Sequence, residues 1–234
     1  ATGLYLGDYT RTFGLQQDVL SHGWSLAIEE QFNLLWPVVL LVLVKLPKNR
    51  AVGILIGLAA AVTLLRIYHV VGLGNDWRTT YDRFDTHSSG LILGCIIGLV
   101  GKKLPPYAAA LGFFGLFEAM VRFRFVQLDT TLVGFTLAEI SAAVIIMSQP
   151  KWLGVSALAF AGRLSYGLYL WHYPIMFWMR GQQWGWLETF LVGGSVAFAA
   201  AWLSYAVVEV RFRKPLTEAA AGNGPQPAVG PRPQ

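Results

Sequence analysis

The run Ser25-Leu-Ala-Ile-Glu-Glu-Gln-Phe-Asn-Leu-Leu-Trp-Pro-Val-Val-Leu-Leu-Val-Leu-Val44 decides the fold class of this chain. An α-helix needs about 20 mostly apolar residues to cross the hydrocarbon core of a bilayer. The two adjacent acids, Glu29 and Glu30, lie near the start of the run, and the apolar side chains follow them. The run therefore predicts a membrane-spanning helix that carries two carboxylates close to one boundary of the bilayer.

The composition of the whole chain also favours a membrane protein. Of its 234 residues, 55% are hydrophobic and only 13% are charged, whereas soluble domains carry about 25% charged residues. The net charge of +5 is expected from basic cytoplasmic loops, so no nucleic-acid partner is predicted. The one cysteine, Cys95, lies in an apolar run and cannot form an internal disulfide.

Six further apolar runs, separated by prolines and glycines, predict an all-α, polytopic transmembrane helix bundle of about seven spanning helices. The third run is short for a span. The predicted spans cover residues 25–44, 51–68, 88–100, 107–121, 131–147, 164–178 and 187–208.

The basic residues predict how the bundle is oriented. One set of alternate loops and the C-terminal segment holds eleven Lys and Arg residues with Glu218 as the only clear acid, and the other set holds seven Arg residues that acids offset. The first set is expected in the cytoplasm. Residues 1–24 are then an extracytoplasmic loop, 25–214 a transmembrane domain that lacks upstream helices of the same full-length protein, and 215–234 a disordered cytoplasmic tail.

The first candidate site lies at the start of the first span. His22, Ser25 and Glu29 are spaced i, i+3 and i+7, so they share one face of a helix, and Glu30 lies about 100° away. Charged side chains in a span face a polar cavity or a partner, and a His with a carboxylate could perform acid/base chemistry. The alternative is an interfacial cap, in which Ser25 binds free N–H groups and the acids favour the helix N-terminus.

The second candidate site is Arg83-Phe-Asp-Thr-His-Ser-Ser-Gly90, before the third span. Arg83, Asp85 and His87 could bind substrate there. The alternative is a solvated loop in which Arg83 pairs with Asp85. His87 has no second His or Cys at ligand spacing, so no metal site is predicted.

The third candidate site is Gly162-Arg-Leu-Ser-Tyr-Gly-Leu-Tyr-Leu-Trp-His-Tyr-Pro174. Ser165, Tyr169 and His172 share a helix face, and Tyr166 lies beside it. A His within an aromatic span indicates a substrate tunnel, while the alternative is a structural His bonded to a neighbouring helix.

Three other acids, Glu118, Glu139 and Glu209, lie within or at the ends of predicted spans. These acids could pair with other residues of the chain, but the sequence does not identify those residues.

Two segments resemble the acyltransferase 3 family of bacterial integral-membrane O-acyltransferases. The family carries a His-Thr-Trp-Ser-Leu-x-x-Glu-Glu-Gln-Phe-Tyr-Leu-Leu-Trp-Pro run, and this chain has His22-Gly-Trp-Ser-Leu-Ala-Ile-Glu-Glu-Gln-Phe-Asn-Leu-Leu-Trp-Pro37. The family also carries Ser-Tyr-Ser-Leu-Tyr-Leu-Trp-His-x-Pro, which here is Ser165-Tyr-Gly-Leu-Tyr-Leu-Trp-His-Tyr-Pro174. The chain departs from the family at Asn33, and at His87 and Ser89, where members often have Arg and Asp.

The resemblance implies acyl transfer, with acyl-CoA as the donor, to a hydroxyl of a cell-envelope glycan, a lipid or a secondary metabolite. It implies a location in the bacterial inner membrane and no bound cofactor. Family members have about ten spans, and their presumed catalytic His lies in a helix upstream of the seven seen here. His22, Glu29 and Glu30 would act in catalysis. The implied substrate-binding residues are Trp24, Ser25, Arg83, Asp85, His87, Tyr166, Tyr169 and His172.

Two other functions remain open from the residues alone. In a proton-coupled transporter or flippase, the same acids would relay protons or bind an ion. A purely structural membrane subunit would leave the polar groups without a role.

Overall fold

The computed structural model describes residues 21–124 and 127–211, and within these ranges the regular structure is entirely helical. The described residues fall into two compact units, with the boundary between Val155 and Ser156. The predicted extracytoplasmic loop at 1–24 lies almost wholly outside the described residues. The predicted tail at 215–234 lies entirely outside them.

The first unit is built from long helices joined by short ones. A 3₁₀ turn, Ser21–Gly23, leads into the first helix, and a π-helical turn, Tyr68–Gly72, extends the second. A second π-helical turn, Thr130–Gly134, leads into the last helix of the unit. The helices are α1 (Trp24–Leu43), α2 (Lys48–Ile67), α3 (Trp77–Tyr81), α4 (Phe84–His87), α5 (Ser89–Val100), α6 (Ala109–Arg122) and α7 (Phe135–Ser148).

The second unit is an antiparallel helix pair. Its first helix, α8 (Ser156–Gly181), has 26 residues. A short helix, α9 (Trp186–Glu188), continues through a π-helical turn into α10 (Gly194–Ser204). The helices α8 and α10 pack closely at Gly167, where an added Cβ would lie 3.2 Å from the Cα atom of Ala201. Small residues at such a crossing let two backbones approach, which is how helices associate in a membrane.

Four helices among the described residues are long and apolar enough to cross a membrane. They correspond to the predicted first, second, fifth and seventh spans. The all-α fold class is therefore confirmed, and four of the predicted spans coincide with helices that have the length and composition of membrane spans. The four segments are Trp24–Leu43, Lys48–Gly72, Thr130–Ser148 and Trp186–Val208.

The other three predicted spans are not confirmed. The third is α5, whose 12 residues reach only about 18 Å at 1.5 Å per residue. It ends where Gly101 adopts a left-handed φ of 66°, a common helix stop. The fourth is α6, with 14 residues. The sixth lies within α8, which is long enough, but its Tyr, Trp, His and Gly residues make it less apolar than the four spans.

Apolar contacts among α1, α2 and α5 form the core of the first unit. Leu55 and Ala51 of α2 are almost fully buried, and they cluster with Leu43 of α1 and Ile92 of α5. The helices α6 and α7 pack through glycines. An added Cβ on Gly112 would lie 2.7 Å from the backbone oxygen of Ser141, so this crossing leaves no room for a side chain.

Candidate functional site

The start of α1 buries the first residues of the opening motif. The helix begins at Trp24, with Gly23 before it, so Ser25 lies in the first turn and is not the capping residue. His22 and Trp24 are each only 9% exposed, which places an imidazole and an indole inside the unit at this helix end.

Four rings then bring two distant parts of the sequence together. We call them the ring cluster: Trp24, Tyr81, His87 and Phe135. The Trp24 ring centroid lies 4.7 Å from Tyr81 and 5.4 Å from His87, and Phe135 lies 5.2 Å from His87. Most of these pairs meet edge to face or tilted, the favourable arrangement for aromatic rings. The first and second candidate sites therefore meet around His87.

The stretch from Thr80 to Thr86, between α2 and α5, contains polar residues that are buried. Thr80, Asp82 and Thr86 are fully buried, and the Thr86 hydroxyl donates to the backbone oxygen of Thr80. Buried polar groups of this kind rigidify a segment when they are hydrogen-bonded. These three side chains are therefore shielded from solvent close to His87 in the sequence.

Arg83 and Asp85 form the ion pair that the sequence left open. Arg83 donates from Nε and Nη2 to the two carboxylate oxygens of Asp85, at 2.8 and 2.5 Å. Burial of Asp85 opposes ionisation, but the hydrogen bond and positive charge of Arg83 outweigh it, so the pKa of Asp85 lies below its ordinary value. Asp85 is consequently a carboxylate at neutral pH, held in place by a bidentate partner.

A second polar group, which we call the arginine network, consists of Arg66, Ser89, Thr136 and Glu139. Arg66 is 1% exposed, and it donates to the hydroxyls of Thr136, at 2.7 Å, and Ser89, at 3.4 Å. Its Nη1 lies 3.7 Å from Oε1 of Glu139, which also accepts from Ser89 at 2.6 Å. One guanidinium thus links α2, α5 and α7.

His87 lies between the ring cluster and this network. Its burial, together with the positive charge of Arg66, lowers the pKa of His87 to about 4, against a smaller opposing effect of the Tyr81 backbone. The imidazole is therefore neutral at neutral pH. A neutral imidazole can accept a hydrogen bond on one ring nitrogen while it donates from the other.

An apolar cavity of about 360 Å³ opens between α1 and α2. Phe32, Trp36 and Leu58 line its sides, and Asp85 and Ser88 lie at one end. Its shape and lining could hold a hydrocarbon chain whose polar end reaches the Arg83–Asp85 pair.

The two acids of the opening motif do not enter the ring cluster. Glu29 is exposed and Glu30 half-buried, and neither forms an ion pair with any residue in the described part of the chain. The expected shared face with His22 exists only in part, because His22 precedes α1 in the 3₁₀ turn.

The third candidate site lies in the second unit. His172 donates from Nδ1 to the backbone oxygen of Leu168, at 2.9 Å, because a carbonyl can only accept. This bond lies within α8. The Tyr169 ring lies 5.7 Å from His172, and Tyr166 is exposed. Their role in substrate binding stays a prediction.

Sequence reasoning missed Arg66 and Asp82 as members of a buried site. Arg66 lies near the end of the second span. A charge inside an apolar run was the available signal, since such a residue needs a partner. The partner of Glu139 is Arg66, and that of Glu118 is Arg122. The side chain of Glu209 is outside the described residues.

Within the described ranges, no group of three or more His, Cys, Asp or Glu residues could hold a metal ion.

Comparison with known proteins agrees with the resemblance of the two motifs. The family model for the acyltransferase domain matches residues 2–209. The O-acetyltransferase OatA of Staphylococcus aureus is 30% identical over 189 residues, which are 72% of this chain and 31% of that protein. A second S. aureus protein, provisionally named as an O-acetyltransferase, is 28% identical over 221 residues, 83% of this chain and 36% of its own length.

The chain spans about a third of the length of these curated relatives. No solved structure matches it. Because the family model covers most of the chain, including the His22 and Ser165 motifs, the chain belongs to the acyltransferase 3 family of acyltransferase domains.

Proposed function

We propose that the protein is a membrane O-acyltransferase that moves an acyl group from acyl-CoA to a hydroxyl of a cell-envelope glycan, a lipid or a secondary metabolite. The observation that carries the proposal is the meeting of His22–Trp24 with the Arg83–His87 segment in a protein of this family. The names of the two S. aureus relatives, both O-acetyltransferases, favour an acetyl group.

In the proposed reaction, the acceptor oxygen attacks the thioester carbonyl. The new C–O bond forms, the C–S bond breaks to release the CoA thiolate, and the acceptor proton passes through a base to that thiolate. His22 assists that proton transfer, because an imidazole is suited to acid/base work near neutral pH. The Arg83–Asp85 pair and His87 bind the acceptor through hydrogen bonds. The apolar cavity beside Asp85 receives the hydrocarbon part of a substrate.

The proposal gives Glu29 and Glu30 a role that differs from that of His22. An exposed carboxylate within a spanning helix is costly, on the order of 2.5–3.5 kcal/mol at the bilayer centre and less near the boundary. Glu29 and Glu30 therefore face polar surroundings, which we assign to the substrate and to further helices of the same full-length protein. In the second unit, Tyr166, Tyr169 and His172 line a path for substrate.

The proposed setting is the bacterial inner membrane, crossed by seven helices of this chain. The C-terminus then lies in the cytoplasm, as the basic loops favour. This orientation places the ring cluster at the extracytoplasmic boundary, where envelope hydroxyls are found, while the acyl-CoA pool is cytoplasmic.

The test uses membranes that contain the full-length protein and a radiolabelled acyl-CoA donor. His22→Ala is expected to lower transfer by about 10²–10⁴-fold, the usual contribution of general acid/base catalysis. Glu30→Gln is expected to lower transfer as well, because it removes a carboxylate that faces the substrate. The matched control is Glu188→Gln, because Glu188 only caps α9. Normal transfer by both variants, or proton-coupled uptake without donor consumption, contradicts the proposal.

A further inference from the structure

We propose that Arg66 is a positioning residue of this site: the arginine network fixes the ring cluster that holds His87 towards the acceptor hydroxyl. The inference rests on the proposed function, which it extends to residues of α2 and α7. Arg66 itself is enclosed by protein, so it acts through its neighbours and not on the substrate.

The covalent connections between the two clusters are short. Ser89, a member of the arginine network, follows His87 by two residues, and Thr136 directly follows Phe135. Arg66 therefore hydrogen-bonds to a side-chain hydroxyl close in sequence to each partner of the His87–Phe135 ring contact. Its guanidinium carbon also lies 5.7 Å from the centroid of the Phe135 ring, within the range of a cation–π contact. A shift of Arg66 would move two of the four rings.

The energetics of the network favour a role beyond stability. A buried ion pair is often replaced by apolar residues without loss of stability, because removing two charges from water costs about as much as their attraction returns. The Nε of Arg66 also lacks a hydrogen-bond partner among the described residues, and a buried unsatisfied donor costs about 1–3 kcal/mol. A network that served packing alone gains little from this guanidinium.

Burial and the positive charge of Arg66 on α2 keep His87 neutral. The Glu139 carboxylate of α7 accompanies Arg66, and Asp85, on the same helix as His87, is neutralised by Arg83. From α3, His87 meets the Tyr81 ring and backbone. Removal of Arg66 takes away a positive charge, so protonation of His87 becomes easier.

The experiment compares three variants of the full-length protein in detergent. The double variant Arg66→Met/Glu139→Leu removes the ion pair but keeps apolar volume, so that the protein still folds. Arg66→Lys keeps the positive charge but loses the planar guanidinium that donates to two hydroxyls. Arg50→Met, at the exposed opposite end of α2, is the matched control.

The first readout is the ¹⁵N NMR titration of labelled histidines. The His87 signal is identified by its loss in His87→Gln. The second readout is the pH profile of transfer.

In the double variant, the pKa of His87 is expected to rise by about one unit, and kcat/KM to fall at least tenfold, mainly through KM. Arg66→Lys is expected to keep the low pKa and to restore transfer only in part. An unchanged His87 titration and an unchanged KM in a folded double variant overturn the inference. Absence of transfer by the unaltered protein contradicts the proposed function instead, and the NMR titration still decides the role of Arg66.

Discussion

At the scale of single residues, the central feature is a histidine that the protein keeps neutral. His87 is enclosed by three rings and faces the positive charge of Arg66, which together hold its pKa near 4. Because the ordinary pKa of His is 6.5, the unfolded chain takes up a proton at a higher pH than the folded protein does. His87 therefore makes folding depend on pH.

The sign of that dependence follows from proton uptake. As pH falls below about 6.5, the unfolded state binds a proton at His87 that the folded state does not bind. The free energy of unfolding therefore falls by up to about 1.4 kcal/mol per pH unit until about pH 4. We expect the apparent melting temperature in detergent to be lower at pH 5 than at pH 7.5. His87→Gln should remove most of this difference. An equal loss in both proteins would show that other groups cause it.

At the scale of elements, the sequence predicted helices better than it predicted contacts between them. Continuous apolar runs of about 20 residues gave the four confirmed spans, because length and hydropathy are local properties. The short α5 was harder to judge, since its end depends on the left-handed Gly101 and its start on the break after α4. The Arg66–Glu139 contact could not be predicted, because it joins residues 73 positions apart through the packing of three helices.

The packing of α6 against α7 gives a prediction at this scale. Gly112 faces Ser141 and Ile145 so closely that an added Cβ would lie 2.6 Å from Cγ1 of Ile145. Gly112→Leu should therefore destabilise the protein by about 1–3 kcal/mol, the usual cost of overpacking. The fraction of protein that stays folded in detergent after heating measures this loss of stability.

Gly57→Leu in α2 is the matched control, because a Cβ there meets nothing within 4 Å. It should be neutral or slightly stabilising, since Leu favours a helix more than Gly does. Equal stability of the two variants would contradict the close α6–α7 packing.

At the scale of the whole molecule, the proposed orientation can be mapped with a single cysteine. Cys95→Ser provides a background without the native thiol. Leu73→Cys, in the proposed extracytoplasmic loop, should react with a membrane-impermeant maleimide in intact cells. Lys103→Cys, in a basic loop, should react only after permeabilisation. The reverse pattern would show that the bundle has the opposite orientation.

The central claim is that this bundle carries acyl groups to a hydroxyl at its extracytoplasmic face. The most direct measurement reconstitutes the full-length protein in liposomes, with labelled acetyl-CoA on one side and a hydroxyl acceptor on the other. We predict labelled acceptor only when the donor is on the side of the basic loops, and no labelled acceptor with His22→Ala. Proton uptake with the donor left intact, or transfer that does not depend on the side of the donor, would contradict this account.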